Sequence, residues 1–181
     1  TPGMDDYRPD AQTALMANAF AKKDYREVVE IFRRSAVKAQ GEKEANRLMI
    51  AGRAYMRLKL PSEALQLFRD VEKLVNPETD MAFQAAYYRL LCFFQIEGRH
   101  LPDQVDAFLQ LYRKARPEDS RIHTALMMKA ETLFTNKETA AAAKVYSEIS
   151  ASLVSEKNRP GLLYQRGWCL SEAGDAQGAI R

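Results

Sequence analysis

The side chains that could do chemistry are few and are scattered along the chain. The 181 residues include two histidines and two cysteines. His100 and His123 lack the short spacings, such as HxxxH, that place two imidazoles on one helix face. Cys92 and Cys169 stand alone inside apolar stretches, where a free cysteine is usually a small core residue. We therefore predict no catalytic residue, no metal ligand and no cofactor, and we classify the chain as a non-enzyme.

Two pairs of adjacent carboxylates are the remaining candidates for acid–base chemistry. Asp5 and Asp6 form the first pair, and Glu118 and Asp119 form the second. The second pair follows Pro117 at a predicted helix start, where the helix dipole favours negative charge. No glycine-rich phosphate loop and no GxSxG turn accompanies either pair. The sequence favours a structural role for the second pair.

The composition is that of an ordinary globular protein, with 46% hydrophobic and 28% charged residues and a net charge of +3. Charges of both signs are mixed, whereas nucleic-acid-binding proteins usually carry a concentrated basic stripe. The local basic clusters lie near predicted helix ends, where cations favour the negative end of the dipole. They are Arg33, Arg34 and Lys38, and Arg113, Lys114 and Arg116.

The cellular compartment stays open on the sequence alone. No apolar run approaches the roughly 18 residues of a membrane-spanning helix. The chain begins at Thr1 and ends at Arg181 within a helical pattern, so both ends look cut and any targeting segment is expected to lie outside. Cytoplasm and bacterial cell envelope or periplasm are both compatible with these features.

A short motif recurs along the chain: a turn, a small or apolar residue, and an aromatic residue or Leu four positions later. Its anchors lie 36, 41, 37 and 37 residues apart, at Val28, Ala64, Val105, Ala142 and Ala179. Such a period indicates stacked supersecondary units. Apolar residues at helical spacing precede and follow the turns, and no long strand-like alternation occurs. We predict an all-α fold of antiparallel helical hairpins.

The residues of these units resemble the tetratricopeptide repeat (TPR), with the fifth unit similar to bacterial proteins of this type. The second unit matches best, with Leu48, Ala51, Gly52, Tyr55, Ala64 and Phe68 before Asn76 and Pro77. The third departs most, because Cys92 or Phe93 occupies the place of a small residue. The resemblance implies a right-handed α-solenoid of about four and a half repeats in a single domain, 1–181. The expected repeats are 9–41, 42–77, 78–117, 118–157 and a truncated 158–181.

The small residues are expected to bring the helices of a hairpin close together. Gly52 and Gly167 would face Ala64 and Ala179, while Tyr55, Phe68 and Tyr146 would fill the space between hairpins. The family period is about 34 residues, so spacings of 36 to 41 imply longer helices or longer turns. Because the fifth hairpin is truncated, we expect residues 175–181 to fray.

The resemblance further implies that the first helix of each hairpin lines a concave surface that binds a peptide or protein. Methionines and aromatic residues are frequent among the outward-facing positions, as at many interaction surfaces. Arg53 and Arg57 could pair with an acidic flank of an amphipathic helix or an extended peptide. Core packing is the alternative, and it is favoured for Leu90 and Phe94. The family alignment also places Leu90 at an outward position. The predicted binding residues are Met49, Arg53, Met56, Arg57, Phe94, Met127, Glu131, Phe134, Tyr164 and Trp168.

Two narrower binding functions are disfavoured. The Lys and Asn residues with which some family members bind acidic chaperone tails are replaced by Thr13, Ala17, Ile50, Tyr87 and Leu91. RNA recognition by helical repeats predicts the same polar pair in every repeat, whereas the equivalent positions vary here. The function most compatible with the sequence is a protein–protein interaction scaffold. RNA binding and a purely structural role in a larger envelope assembly are the alternatives, and the partner and oligomeric state stay open.

Overall fold

A computed structural model describes residues 8–34, 39–96, 100–172 and 174, and all regular structure among them is helical. The predicted all-α fold is therefore confirmed. None of the described helices is both long and apolar enough to cross a bilayer. In chain order the helices are α1 (Arg8–Ala21), α2 (Tyr25–Arg34), α3 (Gly41–Arg57), α4 (Pro61–Leu74), α5 (Asp80–Ile96), α6 (Leu101–Tyr112), α7 (Ser120–Thr135), α8 (Thr139–Ser147), a 3-10 turn (Ala151–Leu153) and α9 (Arg159–Glu172).

The chain divides into two compact units, residues 1–96 and residues 97–181. In the first unit, α1 with α2 and α3 with α4 form helical hairpins, and α5 packs on α4. In the second unit, α7 and α8 form a hairpin with α6 packed on α7 and α9 packed on α8. The division falls within the third predicted hairpin, whose residues depart most from the repeat pattern.

Helix starts follow the chemistry expected from the sequence. Pro61 and Pro102 lie in the first turns of α4 and α6, where an amide hydrogen has no partner within the helix. The Asp119 carboxylate accepts a hydrogen bond from the Arg121 amide at 2.9 Å and caps α7. Hydrogen bonds from Arg121 hold the pKa of Asp119 below its usual value. The structural role predicted for Asp119 is confirmed, while Asp5, Asp6 and Lys38 lie outside the described residues.

Helices α1, α3 and α7 end in the same way, with a lysine in the left-handed conformation. Lys23, Lys59 and Lys137 have φ of 63°, 61° and 65°, which is the left-handed region. After α3, the Lys59 amide donates to the Met56 carbonyl at 3.1 Å and the next amide donates to the Tyr55 carbonyl at 3.0 Å. The same pair of bonds recurs around Lys23 and Lys137. This Schellman pattern usually places glycine at the left-handed residue.

The core of the first unit is built around a position without a side chain. A Cβ on Gly52 would lie 2.7 Å from Cε1 of the Phe68 ring. Phe68 is fully buried and stacks on Tyr88 of α5, with ring centroids 5.2 Å apart. The prediction that Gly52 permits close approach is therefore confirmed. Phe68, rather than Ala64, supplies its nearest contacts, because an aromatic ring reaches across the helix interface and a methyl group does not.

The second unit holds its long α8–α9 connection through a buried histidine. His123 Nδ1 accepts a hydrogen bond from the Ser150 amide at 3.2 Å. Its Nε2 lies 3.2 Å from the Pro117 carbonyl, so this ring nitrogen carries the proton and donates. The Arg159 side chain donates to the Ala151 carbonyl at 2.9 Å. His123 is thus a packing and positioning residue of the helical array.

The truncated fifth hairpin is described only in its first helix, α9. Its second helix, with Ala179, and the expected fraying of 175–181 lie outside the described residues. Gly174 has a φ of 83°, and its amide donates to the Ser171 carbonyl at 3.1 Å. Glycine therefore occupies, after α9, the place that lysine takes in the other turns.

Replacing Lys59 by glycine should stabilise the protein. Relief of the left-handed strain on a non-glycine residue exceeds the entropy that the unfolded chain gains, and we expect about 0.5–1 kcal/mol. Urea denaturation of the variant measures this difference. Gln66→Gly, on the exposed face of α4, is the control and should lose about 1 kcal/mol. Equal losses in both variants would contradict the proposed turn geometry.

Replacing Gly52 by alanine should destabilise the first unit by about 1–2 kcal/mol, because overpacking against Phe68 outweighs the gain in helix propensity. Gly161→Ala is the matched control, since a Cβ there has nothing within 4 Å. Thermal unfolding of Gly52→Ala, Phe68→Leu and the double variant measures the coupling free energy between the two positions. Additive losses of stability would show that contact with Phe68 is not the cause of the loss in Gly52→Ala.

Candidate partner-binding faces

A groove between α3 and α5 is the concave feature of the first unit that best fits the predicted binding face. Its volume is about 340 Å³. Predicted residues Met49 and Arg53 line it, whereas Met56, Arg57 and Phe94 do not. The lining residues are Glu42, Asn46, Met49, Ile50, Arg53, Thr79, Asp80, Met81 and Gln84.

Arg53 is held at this groove by two aromatic rings. Its guanidinium carbon lies 4.7 Å from the centroid of Phe20 on α1 and 5.9 Å from that of Tyr88 on α5. Within the part of the chain that the structure describes, Arg53 forms no ion pair with a carboxylate. The cation–π contacts orient the guanidinium, and its N–H groups are not used in an ion pair. It can therefore bind a carboxylate with little loss of side-chain freedom.

Three of the residues predicted to face outward belong to the core. Met49 is only 6% exposed and contributes little more than an edge to the groove wall, and Leu90 is completely buried. Met56 is partly buried, and its sulfur lies 3.2 Å from the Cys92 thiol. Helix α3 packs against α1, α2, α4 and α5, so part of the face that the family alignment places outward is buried. Arg57 is exposed as predicted. Core packing, which the sequence favours for Leu90 and Phe94, is correct for Leu90 and wrong for Phe94, which is 41% exposed.

In the second unit, the predicted residues of α7 are half-buried. Met127, Glu131 and Phe134 share this helix. Burial raises the pKa of the Glu131 carboxyl, which makes no ion pair among the described residues. Burial, and secondly the nearby Glu131 charge, raise the pKa of Tyr146, whose hydroxyl donates to Gln165 Oε1 at 3.1 Å.

Helix α9 presents the most exposed aromatic residues of the described chain. Tyr164 is 70% exposed and Trp168 is 50% exposed. Leu163 is exposed beside them. Large aromatic side chains left in solvent favour an interaction surface, since burying them in a complex releases water from their faces.

Several groove residues were missed by the sequence analysis. Asn46 and Ile50 lie on the same face of α3 as Arg53, so helical spacing from Arg53 could have identified them. Thr79, Asp80 and Met81 come from the start of α5. No spacing within α3 predicts them, because they depend on where the neighbouring helix begins.

The cysteines and acidic residues show no arrangement for catalysis or metal binding in the described residues. Cys92 and Cys169 are completely buried, as predicted. Burial raises the pKa of Cys92 to about 12 and raises that of Cys169 as well, whereas a reactive cysteine is solvent-accessible and has a lowered pKa. Among the described residues, no three metal-binding side chains cluster.

Comparison with protein families and with curated proteins finds no match to this chain. Solved structures of MamA do match its fold. MamA of AMB-1, in crystal form P212121, is similar with a TM-score of 0.70 at 13% sequence identity, over 97% of this chain and 87% of that chain. MamA of MSR-1, in crystal form C2, is similar with a TM-score of 0.66 at 12% identity, over 96% of this chain and 91% of that chain. The chain thus has a TPR-like α-solenoid fold.

Proposed function

We propose that this protein is a non-catalytic interaction scaffold, and that a peptide or protein partner binds the faces formed by α3 with α5 and by α7 with α9. The oriented Arg53 carries the proposal, because its aromatic cradle holds a cation at the groove that pairs with no carboxylate of the described residues, although Glu42 and Asp80 also line the groove. Each unit offers its own binding chemistry, and the TPR-like fold supports the same general function.

In the first unit, Arg53 would pair with a carboxylate of the partner. Asn46 and Gln84 line the same groove and can donate and accept hydrogen bonds to a peptide backbone. Ile50 and Met81 add apolar area beside them. This combination fits a segment in which an acidic residue accompanies an apolar one.

In the second unit, Glu131 would pair with a basic side chain of the partner. Its carboxylate is half-buried and has no ion pair in the described chain, so a cation from outside would offset its desolvation. Trp168 and Tyr164 on α9 supply exposed rings that can pack on a Lys or Arg stem. The two units therefore favour opposite charges on what they bind.

Site-specific photo-crosslinking tests which faces hold the partner. Benzoylphenylalanine placed at Asn46, Tyr164 or Trp168 should crosslink the partner in cells of the source organism. The matched controls are the exposed positions Gln66 on α4 and Gln110 on α6, on helices outside the proposed faces. Crosslinks of equal yield from Gln66 and Gln110 would reject the proposed faces, and crosslinked RNA would favour the nucleic-acid alternative.

Arg53→Met should weaken binding of the partner identified in this way by about tenfold, since a close charge pair is lost while the aliphatic stem is kept. The affinity of the unaltered protein should also fall as salt is raised. Isothermal titration at two salt concentrations measures both effects. Arg57→Met, which removes an exposed arginine outside the groove, is the control. Unchanged affinity of Arg53→Met would sink the role assigned to Arg53.

Glu131→Gln should raise the free energy of unfolding near neutral pH. Because the pKa of Glu131 is raised from 4.5 in the folded chain, its contribution to stability is present at low pH and is lost as pH rises through the raised value. Glutamine imitates the protonated carboxyl, so the gain in free energy of unfolding should shrink toward zero at about pH 4. Chemical denaturation across this range measures it, with the exposed Glu138→Gln as control. A gain independent of pH would contradict the mechanism.

A further inference from the structure

A second cleft of the first unit lies on the opposite side of α3 from the proposed binding groove. It is formed by the end of α2, the start of α3 and the C-terminal half of α4, and its volume is about 450 Å³. This volume falls within the range of small-ligand sites. The lining residues are Phe32, Ala39, Glu44, Arg47, Leu48, Leu67, Asp70, Lys73 and Leu74.

Arg47 is a buried, hydrogen-bonded side chain in the wall of this cleft. Its side chain is only 3% exposed, and it forms two hydrogen bonds with Glu44, from Nε at 2.8 Å and from Nη2 at 2.7 Å. Phe32 packs under the guanidinium at 4.7 Å. Glu44 also accepts a hydrogen bond from the Ala39 amide at 3.0 Å, so both partners are fixed.

One donor of this fixed pair is left over. Arg47 Nη1 is buried and has no hydrogen-bond partner among the residues that the structure describes. A buried donor without an acceptor destabilises the folded chain, and a bound group that supplies an acceptor removes this penalty. The rigid Arg47–Glu44 geometry prevents Nη1 from turning to solvent, so an acceptor must come to it.

The charge of the cleft selects a neutral ligand. Arg47 is neutralised by Glu44, and Lys73 is paired with Asp70 at 2.8 Å. An anion would therefore meet two carboxylates as well as two cations, and a second cation has no free acid to bind. A carbonyl oxygen satisfies Nη1 without adding charge.

The remaining wall selects an aliphatic side chain. Leu48, Leu67 and Leu74 line the cleft, and Leu74 is 40% exposed at its mouth. A hydrocarbon alone would cover these residues but would leave Nη1 unpaired. A peptide provides both groups on one residue.

We propose that this cleft is a second binding site, for an uncharged peptide segment whose large aliphatic side chain packs on the leucines while its backbone carbonyl accepts a hydrogen bond from Arg47 Nη1. The site is independent of the α3–α5 groove, since the two sets of α3 residues lie on opposite helix faces. One hairpin thus offers a polar, charge-selective face and an apolar, charge-neutral face to different segments.

N-acetyl-leucine methylamide is the probe, titrated into the full chain labelled at leucine methyl groups and arginine side-chain nitrogens. The Leu67 and Leu74 methyl signals and the Arg47 side-chain signals should shift together and saturate in the millimolar range. N-acetyl-alanine methylamide should bind at least about tenfold more weakly, because it lacks about three buried carbons. N-acetyl-leucine with a free carboxylate should also bind more weakly, because its negative charge would lie near the carboxylates of the cleft.

Two variants separate the proposal from simple instability. Leu74→Glu should abolish probe binding, while Leu111→Glu, at a position 62% exposed on α6, should leave it unchanged. The paired variant Glu44→Gln with Arg47→Met removes the donor without leaving a buried charge, and it should bind the probe about fivefold more weakly while its circular dichroism stays helical.

Three results would overturn the inference. The first is the absence of shifts at Leu67 and Leu74 up to about 20 mM probe, which would leave a cleft occupied by water only. The second is equal affinity of the paired variant, which would remove the role of Arg47 Nη1. The third is preference for the free carboxylate, which would make the cleft an anion site.

Discussion

The packing of the first unit depends on Gly52, which has a hydrogen atom where other residues have a side chain. Without a Cβ at this point of α3, the Phe68 ring of α4 occupies the interface and reaches the Tyr88 ring of α5. Tyr88 in turn lies under Arg53, whose other neighbour is Phe20 of α1. The absence of a Cβ at Gly52 thus allows aromatic contacts to run through four helices. The same contacts hold Arg53 at the groove.

This arrangement explains how packing and binding are divided between the two sides of one helix. The residues of α3 that face α4 are small or aromatic and close the hairpin. The residues on either side of that stripe line two separate clefts, with Arg53 on the α5 side and the buried Arg47–Glu44 pair on the α2 side. Both arginines lie against aromatic rings, so neither depends on solvent to fix its orientation. A helical hairpin thus builds rigid charged sites from its own core contacts.

The fold could be predicted from sequence because its signals are local. Prolines in first turns, apolar residues at helical spacing and recurring turns placed the helices close to where they are observed. The site could be predicted only in part. Met49 has the spacing of an outward position, yet it is buried in the core of the first unit, and Asp80 lines the groove only because α5 begins there. Such features depend on the packing of neighbouring helices, which no single segment encodes.

The complete burial of both cysteines has a practical consequence for measuring this molecule. Cys92 and Cys169 are shielded from solvent, and burial raises the pKa of both thiols. Maleimide dyes and nitroxide labels react with accessible thiolates, so the native protein is silent toward them. A single cysteine introduced at one exposed helix position of each unit would then carry the only probes. Fluorescence energy transfer between them would report directly on whether a bound peptide changes the distance from one unit to the other.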